Sequence, residues 1–212
     1  MVQTQNEGRH YSGVAPAERA RRRHEAVLAA ALELFGTDGY APTSVKKICK
    51  EAGLTERYFY ASFRDRHDCL VQLYTELTGG LRSATLAAID RTAGADLDSI
   101  ADAGLTAFID YLTADPRRAR VVLIEVVGVS DELETRRHGV LREFAELITT
   151  VWTTADEPTT TVLTDEQRLT AVGLVGAVNH LLVDWLLSGR ETPPSKLAAV
   201  CSTLFSAARQ PG

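Results

Sequence analysis

The short segment 43–66 concentrates side chains that can contact DNA. Arg57 carries a planar guanidinium fork that can donate to both O6 and N7 of guanine, and the neighbouring Tyr58 can pack against a thymine methyl group. Thr43 and Thr55 each stand at the predicted start of a short helix, where a hydroxyl donor and the helix dipole both favour phosphate. These residue types at this spacing predict recognition of double-stranded DNA.

A second group of polar side chains interrupts apolar runs in the C-terminal half. Glu125 lies within VVLIEVVGV, while His180 and Asp184, four residues apart, share one face of a predicted helix, as do Glu134 and His138. An all-α enzyme using Glu125, His138, His180 and Asp184 is one alternative function. Two separate pairs are a poor metal pattern, and the chain offers no spaced nucleophile and base and no phosphate loop. We therefore expect no catalytic residue, no metal and no cofactor.

Helices must position these groups, because alternating strand patterns are absent and helix formers dominate. Pro16 suits a first helical turn, and Gly36 and Gly39 are expected to end that helix. The following helices are predicted from Thr43 or Ser44 to Gly53, from Thr55 to about Phe63, and from Asp65 to Ile89 with a break or kink at Gly79–Gly80. Further helices are predicted at Leu97–Leu112, Pro116–Val127, Asp131–Trp152, Thr164–Leu187 and Pro194–Ala208, with a mobile loop at 155–164.

The region 29–70 resembles the DNA-binding domain of the TetR family of transcriptional regulators. The agreement lies in Ala30, Ala31, Leu34, Phe35, Gly39, Tyr40, Thr43, Ser44, Val45, Ile48, Ala52, Gly53, Leu54, Thr55, Phe59, Tyr60 and Phe63. The resemblance makes Tyr60 a phosphate contact, and Lys46 and Arg66 are expected to face the DNA backbone. Together with the segment's chemistry, it predicts a DNA-binding set of Thr43, Ser44, Lys46, Thr55, Glu56, Arg57, Tyr58, Tyr60 and Arg66.

Two departures from the family pattern limit what the resemblance implies. Arg57 and Tyr58 replace smaller residues on the recognition helix, so the operator sequence is expected to be particular to this protein. Cys49 replaces a small alanine, and a buried thiol fits that position sterically.

The C-terminal half is expected to form a dimer and to bind an effector. Apolar stripes run along the last two helices, and the resemblance implies that two copies assemble a four-helix interface there; the stripes comprise Leu169, Val172, Val175, Val178, Leu182, Leu186, Leu197, Val200, Leu204 and Phe205, with Gly173 and Gly176 allowing close approach. A largely apolar pocket for an unknown small molecule is predicted from polar groups within apolar runs and from nearby aromatic residues. Its candidate residues are Phe108, Tyr111, Glu125, Trp152, Asn179, His180 and Asp184.

Composition agrees with a soluble, cytoplasmic regulator. Residues 1–70 hold 11 Lys+Arg against 9 Asp+Glu, whereas residues 71–212 hold 12 against 19, so the positive charge is local. Three unpaired cysteines argue against a zinc finger or a disulfide framework, and no apolar run reaches about 18 residues free of charge, so no membrane span is expected.

The expected fold is therefore all-α. A disordered arm (1–15) precedes a three-helix helix-turn-helix DNA-binding domain (16–66) and a helical domain for effector binding and dimerisation (67–212). The function expected is that of a dimeric repressor released from a pseudo-palindromic operator by a small, largely apolar effector. An activator, a ligand-independent regulator and a protein-binding helical adaptor remain alternatives.

Overall fold

The computed structural model describes residues 15–155 and 164–209, and every regular element within these ranges is helical. The all-α prediction is confirmed. The predicted disordered arm, apart from Ala15, and the predicted mobile loop, apart from its two end residues, lie outside the described residues.

The first helix, α1 (Pro16–Thr37), begins with proline in its first turn, as predicted. Its buried stripe includes Val27, Ala31 and Phe35, each of them fully buried. Gly36 does not end the helix. Glycine is needed at this position for close approach to Arg117, because a Cβ there would lie 2.4 Å from Cβ of Arg117.

Two short helices follow, α2 (Val45–Glu51) and α3 (Glu56–Tyr60). The hydroxyl oxygen of Ser44 accepts the backbone N–H of Lys47, so Ser44 rather than Thr43 caps α2. Gly53 has φ +64°, the left-handed conformation that ends a helix, as predicted. The third helix is shorter than expected, since regular structure ends at Tyr60.

The longest helix, α4 (Arg66–Arg91), runs without a break through Gly79–Gly80. The predicted break was wrong for a packing reason. A Cβ on Gly80 would lie 2.3 Å from the hydroxyl oxygen of Tyr111, so this glycine permits close approach to the next helix.

The remaining helices enclose a second part of the molecule. They are α5 (Leu97–Thr113), α6 (Pro116–Arg120), a π-helical turn (Val121–Glu125), α7 (Asp131–Ala155), α8 (Asp165–Leu187) and α9 (Pro194–Arg209). The helix predicted at 116–127 is therefore a short α-helix that widens into a π turn. Asp115 caps it, accepting the backbone N–H of Arg117 at 3.1 Å.

One hydrophobic core links the N-terminal helices to the rest of the described chain. It runs from Phe35 and Ile48 through Leu70 to Ile109 and Leu182, all of which are buried. Through these side chains the helix-turn-helix packs directly on the helices behind it, and a separate cluster that includes Leu97, Trp152 and Phe205 forms a second core.

Candidate nucleic-acid interface and effector cavity

The recognition helix α3 is fixed from below by two aromatic side chains. Phe59 and Phe63 are buried and their ring centroids lie 5.2 Å apart. His24 of α1 stacks on Phe63 with a centroid distance of 4.8 Å. These contacts leave the opposite face of α3 free to meet another molecule.

Most of the predicted DNA-binding residues are exposed, either on α3 or at the start of α2. Tyr58 is 42% exposed and Tyr60 55%, and the other exposed members are Ser44, Lys46, Thr55, Glu56 and Arg57. Thr55 occupies the cap position of α3, yet its hydroxyl makes no capping hydrogen bond. That hydroxyl stays available as a donor to a phosphate oxygen at the helix N-terminus.

Two members of the predicted set have other roles. Thr43 is fully buried and its hydroxyl donates to the carbonyl of Gly39 at 2.7 Å, so its side chain does not face DNA. The guanidinium of Arg66 lies over the ring of Tyr40 at 4.1 Å and donates to the carbonyls of Tyr40, Ala41 and Thr43. Both residues fix the turn before α2, because that turn's backbone groups need partners.

Arg23, which is absent from the predicted DNA-binding set, lies beside the recognition helix. Its guanidinium sits 4.7 Å from the ring centroid of Tyr58. Arg21 and Arg22 instead pair with Glu18, and Arg21 also pairs with Glu25. The signal available in the sequence was the run of three arginines, but only the fold selects the one that reaches α3.

A set of polar contacts fastens the α6 region to α1. Glu125 of the π turn accepts the backbone N–H of Tyr40 at 2.7 Å and the Nε–H of Arg120 at 2.9 Å. Arg120 also donates to the carbonyl of Thr37 at the end of α1, at 2.7 Å. Glu125 was predicted in the effector pocket, and that placement was wrong because its carboxylate serves this junction.

Arg117 adds an ionic contact to the same junction. Its guanidinium bonds to Asp115 at 2.8 Å and also pairs with Glu33 of α1. The hydrogen bond from Arg117 lowers the pKa of the Asp115 carboxyl, and the two carboxylates raise the pKa of the guanidinium. The Arg117–Asp115 ion pair is therefore charged at neutral pH.

An apolar cavity of about 80 Å³ lies between α4, α5, α7, α8 and α9. Its walls are almost wholly aliphatic and aromatic, and they include Ile89, Leu105, Phe108, Phe144, Val178 and Phe205. Only Phe108, of the seven predicted pocket residues, lines it. The cavity provides no charged side chain, so an occupant would be held by apolar contact alone.

The other predicted pocket residues lie elsewhere for identifiable reasons. Tyr111 packs over Gly80 and under Arg118, whose guanidinium is 4.8 Å from its ring. Trp152 is buried behind the cavity against Phe205, and its Nε1 has no hydrogen-bond partner among the described residues. The remaining three, Asn179, His180 and Asp184, are on α8 outside the cavity lining, and His180 is exposed.

The helices α8 and α9 present an uncovered apolar face. Leu169 is 72% exposed and Val172 55%, and the other exposed apolar members are Leu187, Val200 and Leu204. Nothing lies within 4 Å of a Cβ added at Gly173 or Gly176. Other predicted interface residues face inward, since Leu182 and Leu197 are buried in the core and Val175, Val178 and Phe205 line the cavity.

By length and composition α8 also resembles a membrane span, with a mean hydropathy of 1.5 over an 18-residue window that is 17% buried. One such helix is weak evidence for a membrane segment, so it does not overturn the expectation that no membrane span exists. Within 15–155 and 164–209 no group of three or more His, Cys, Asp or Glu side chains is placed to hold a metal ion. The three cysteines are buried, and burial raises the pKa of each thiol, that of Cys69 to about 12.

Comparison with known proteins connects this arrangement to transcriptional regulators. Residues 27–73 match the model of bacterial regulatory proteins, tetR family. The fatty acid metabolism regulator protein of Bacillus subtilis (strain 168) is 24% identical over 186 residues, which cover 77% of this chain and 95% of that protein.

Solved structures show the same fold over most of the chain. The fatty acid degradation regulator FadR from Bacillus halodurans superposes with a TM-score of 0.74 at 19% identity, covering 93% of this chain and 97% of the other. The transcriptional regulator FadR from Bacillus subtilis, crystallised in complex with stearoyl-CoA, also gives 0.74 at 19% identity, covering 87% and 97% respectively.

Proposed function

We propose, because residues 27–73 match the model of the tetR family of bacterial regulatory proteins, that this chain represses transcription as a dimer and is released from its operator by an effector with a long apolar chain. Binding DNA and regulating transcription follow from the family. The repressor role, the dimer and the effector are the proposal. Its similarity to transcriptional regulators also supports a role without catalysis, and binding to bacterial chromosomal DNA would place it in the cytoplasm.

The observation that carries the proposal is the pairing of an exposed recognition helix with an apolar cavity whose Phe108 packs against the core that contains Phe59. Arg57 and Tyr58 project from α3 on the side opposite Phe59. The cavity, lined by Phe108 among others, lies in the helices behind. A ligand that alters the packing around the cavity can therefore change the position of α3.

The chemistry of the cavity supports an acyl chain as the effector's apolar part. Its aliphatic lining offers dispersion contacts and no ionic partner. A similar protein, FadR from Bacillus subtilis, was crystallised with stearoyl-CoA. Ligand pockets usually enclose about 300–1,000 Å³, so a cavity of about 80 Å³ must widen to admit such a chain.

Widening of the cavity is the step that connects effector binding to release of DNA. We infer that an effector in the cavity displaces α4. This helix joins the helix-turn-helix to the cavity wall, to which it contributes Thr85 and Ile89. A dimer reads two half-sites only when its recognition helices are about 34–36 Å apart. An effector that prefers the displaced state lowers operator affinity by the same factor by which DNA lowers effector affinity.

The dimer is assigned to α8 and α9 because their exposed face is apolar. Two helices from each copy would form a four-helix contact, with Gly173 and Gly176 allowing close approach. We assign residues 16–66 to DNA binding and 67–212 to effector binding and dimerisation.

The experiment that tests this proposal is recovery of genomic fragments bound by the purified protein, followed by titration of the recovered operator at several salt concentrations. A repressor contacting phosphates should bind a pseudo-palindromic site with a steep loss of affinity as salt rises. Added lauroyl-coenzyme A should release the operator from the wild-type protein.

A variant with a filled cavity tests whether release of the operator depends on the cavity. Phe108→Trp should fill the cavity, so operator binding should persist while release by lauroyl-coenzyme A is weakened. Binding with no sequence preference, or release unaffected by filling the cavity, would contradict the proposal.

A further inference from the structure

A groove of about 320 Å³, lined by both polar and apolar residues, lies between α4 and α7, beside the apolar cavity. We call it the head groove. Its walls include Thr78, Gly79 and Arg82 from α4, and Arg136, Gly139 and Glu143 from α7. The α4 and α7 residues are spaced at helical intervals, so each set forms one face and the two faces look at each other.

Phe144 separates the head groove from the cavity, since its side chain lines both. The ring is half-buried and meets Phe108 edge to face, with a centroid distance of 5.0 Å. Rotation of this one side chain would join the cavity to the head groove. An apolar space beside a groove that carries charged side chains suits a molecule with an apolar tail and a polar end.

The head groove has room for such a polar end. No atom lies within 4 Å of a Cβ added at Gly79 or at Gly139. Two glycines facing each other across the groove therefore leave open the space that side chains would otherwise fill. Neither glycine is required by backbone conformation, because both lie within regular helix.

Two of the three charged side chains that line the groove are cationic. Arg82 donates to Glu143 across the groove at 3.1 Å, and Arg136 donates to Glu132 at 3.2 Å along α7. Both pairs are exposed to solvent, with about half of each side chain accessible. Exposed ion pairs are weak in water, so an anionic ligand can replace either carboxylate at small cost.

We propose that the head groove binds the anionic end of an amphipathic effector whose acyl chain occupies the cavity, with Arg82 and Arg136 as the anion's ligands and Phe144 as the partition that the chain displaces. This inference rests on the proposed function and adds that the effector needs an anionic group as well as an acyl chain. A carboxylate and a phosphorylated nucleotide carrier share that chemistry, since each puts negative charge at the end of an apolar chain.

The experiment measures binding of three probes that share one acyl length, which are lauroyl-coenzyme A, sodium laurate and dodecanol. Tryptophan fluorescence of the full chain reports occupancy, because Trp152 packs on Phe205 of the cavity wall. The double variant Arg82→Gln/Arg136→Gln should bind an anionic probe at least about tenfold more weakly, because charge-assisted hydrogen bonds are lost. Its affinity for dodecanol should not change.

Two further variants make the result specific. Arg142→Gln removes an exposed α7 arginine outside the groove and should leave all three affinities unchanged. Glu143→Gln frees Arg82 from its carboxylate partner and should strengthen binding of the anionic probes severalfold. Sensitivity of lauroyl-coenzyme A alone would identify the phosphorylated carrier, whereas equal sensitivity of laurate would identify the free carboxylate.

The outcomes separate this inference from the function on which it rests. Equal losses for dodecanol and the anions, or no loss for either, would overturn the head groove while leaving an apolar effector in place. If the wild-type protein binds its operator but none of the three probes, the acyl effector and the head groove both fail. Thermal melting of each variant checks that the fold is intact.

Discussion

At the scale of single residues, recognition depends on which side chains of α3 stay free. Phe59 points inward and is fully buried, while Arg57 and Tyr58 beside it are exposed. The nearby guanidinium of Arg23 restrains the Tyr58 ring by a cation–π contact, and this contact is lost if either residue is replaced by one that cannot make it. Arg57 makes no comparable contact in the described structure, so its fork is available to a base edge.

Replacing Arg57 with alanine should cost about 1–3 kcal/mol of operator affinity and relax the preference at one base pair, because a bidentate contact to guanine is lost. Competition gel shifts against operators varied at each position would measure both effects. Lys46→Ala offers the contrast of a phosphate contact, which should weaken binding evenly across sequences and reduce the salt slope by about one. Equal, sequence-independent losses for the two variants would contradict the base-reading role.

At the scale of elements, α6 and its π turn act as a clamp on the end of α1. Glu125 holds the backbone of Tyr40, and Arg120 holds the carbonyl of Thr37. Since α6 follows α5 after only two residues, and α5 forms a cavity wall, the clamp gives the cavity a second connection to the helix-turn-helix besides α4.

Removing this clamp should destabilise the protein measurably. The Glu125 side chain is 13% exposed, and Glu125→Ala would leave the Tyr40 N–H and the Arg120 guanidinium without that partner. Leaving such groups unsatisfied costs about 1–3 kcal/mol in the free energy of unfolding, which urea denaturation would measure.

The matched control is Glu132→Ala, which removes an exposed carboxylate paired with Arg136. Its effect on the free energy of unfolding should stay within about 0.5 kcal/mol. A loss from Glu125→Ala no larger than that of the control would show that the clamp contributes nothing to stability.

The elements also show what the sequence can and cannot predict. Helix positions, the Ser44 cap and the turn at Gly53 follow from local signals, because caps and left-handed glycines act over a few residues. The unbroken path of α4 through Gly79–Gly80 and the junction role of Glu125 depend on partners that are distant in the chain. Local sequence patterns indicate that a buried carboxylate needs a hydrogen-bond partner, but they do not identify which backbone N–H is that partner.

At the scale of the whole molecule, the excess of basic charge and most of the exposed apolar surface lie in different parts of the chain. Residues 1–70 carry the local excess of basic groups, whereas residues 71–212 carry 19 acidic against 12 basic residues. Among the described residues of the acidic half, five of the seven large apolar side chains that are exposed lie on α8 and α9, and the other two are Leu86 and Val127. The apolar face of α8 and α9 explains why α8 has the composition of a membrane span while only 17% of its window is buried within one copy of the chain.

If this face joins two copies, charging it should separate them. Leu169→Glu/Val172→Glu alters side chains that are 72% and 55% exposed, so the fold of one copy should be preserved. Size-exclusion chromatography with light scattering should find the wild type dimeric at micromolar concentration and the variant monomeric, because two pairs of carboxylates would be desolvated in the interface. Leu86→Glu, on an exposed position of α4, is the matched control and should remain dimeric. The monomeric variant should also lose most of its operator affinity, because a single helix-turn-helix contacts only one half-site. A wild type that is monomeric, or a variant that stays dimeric, would contradict the assignment of this face to the dimer.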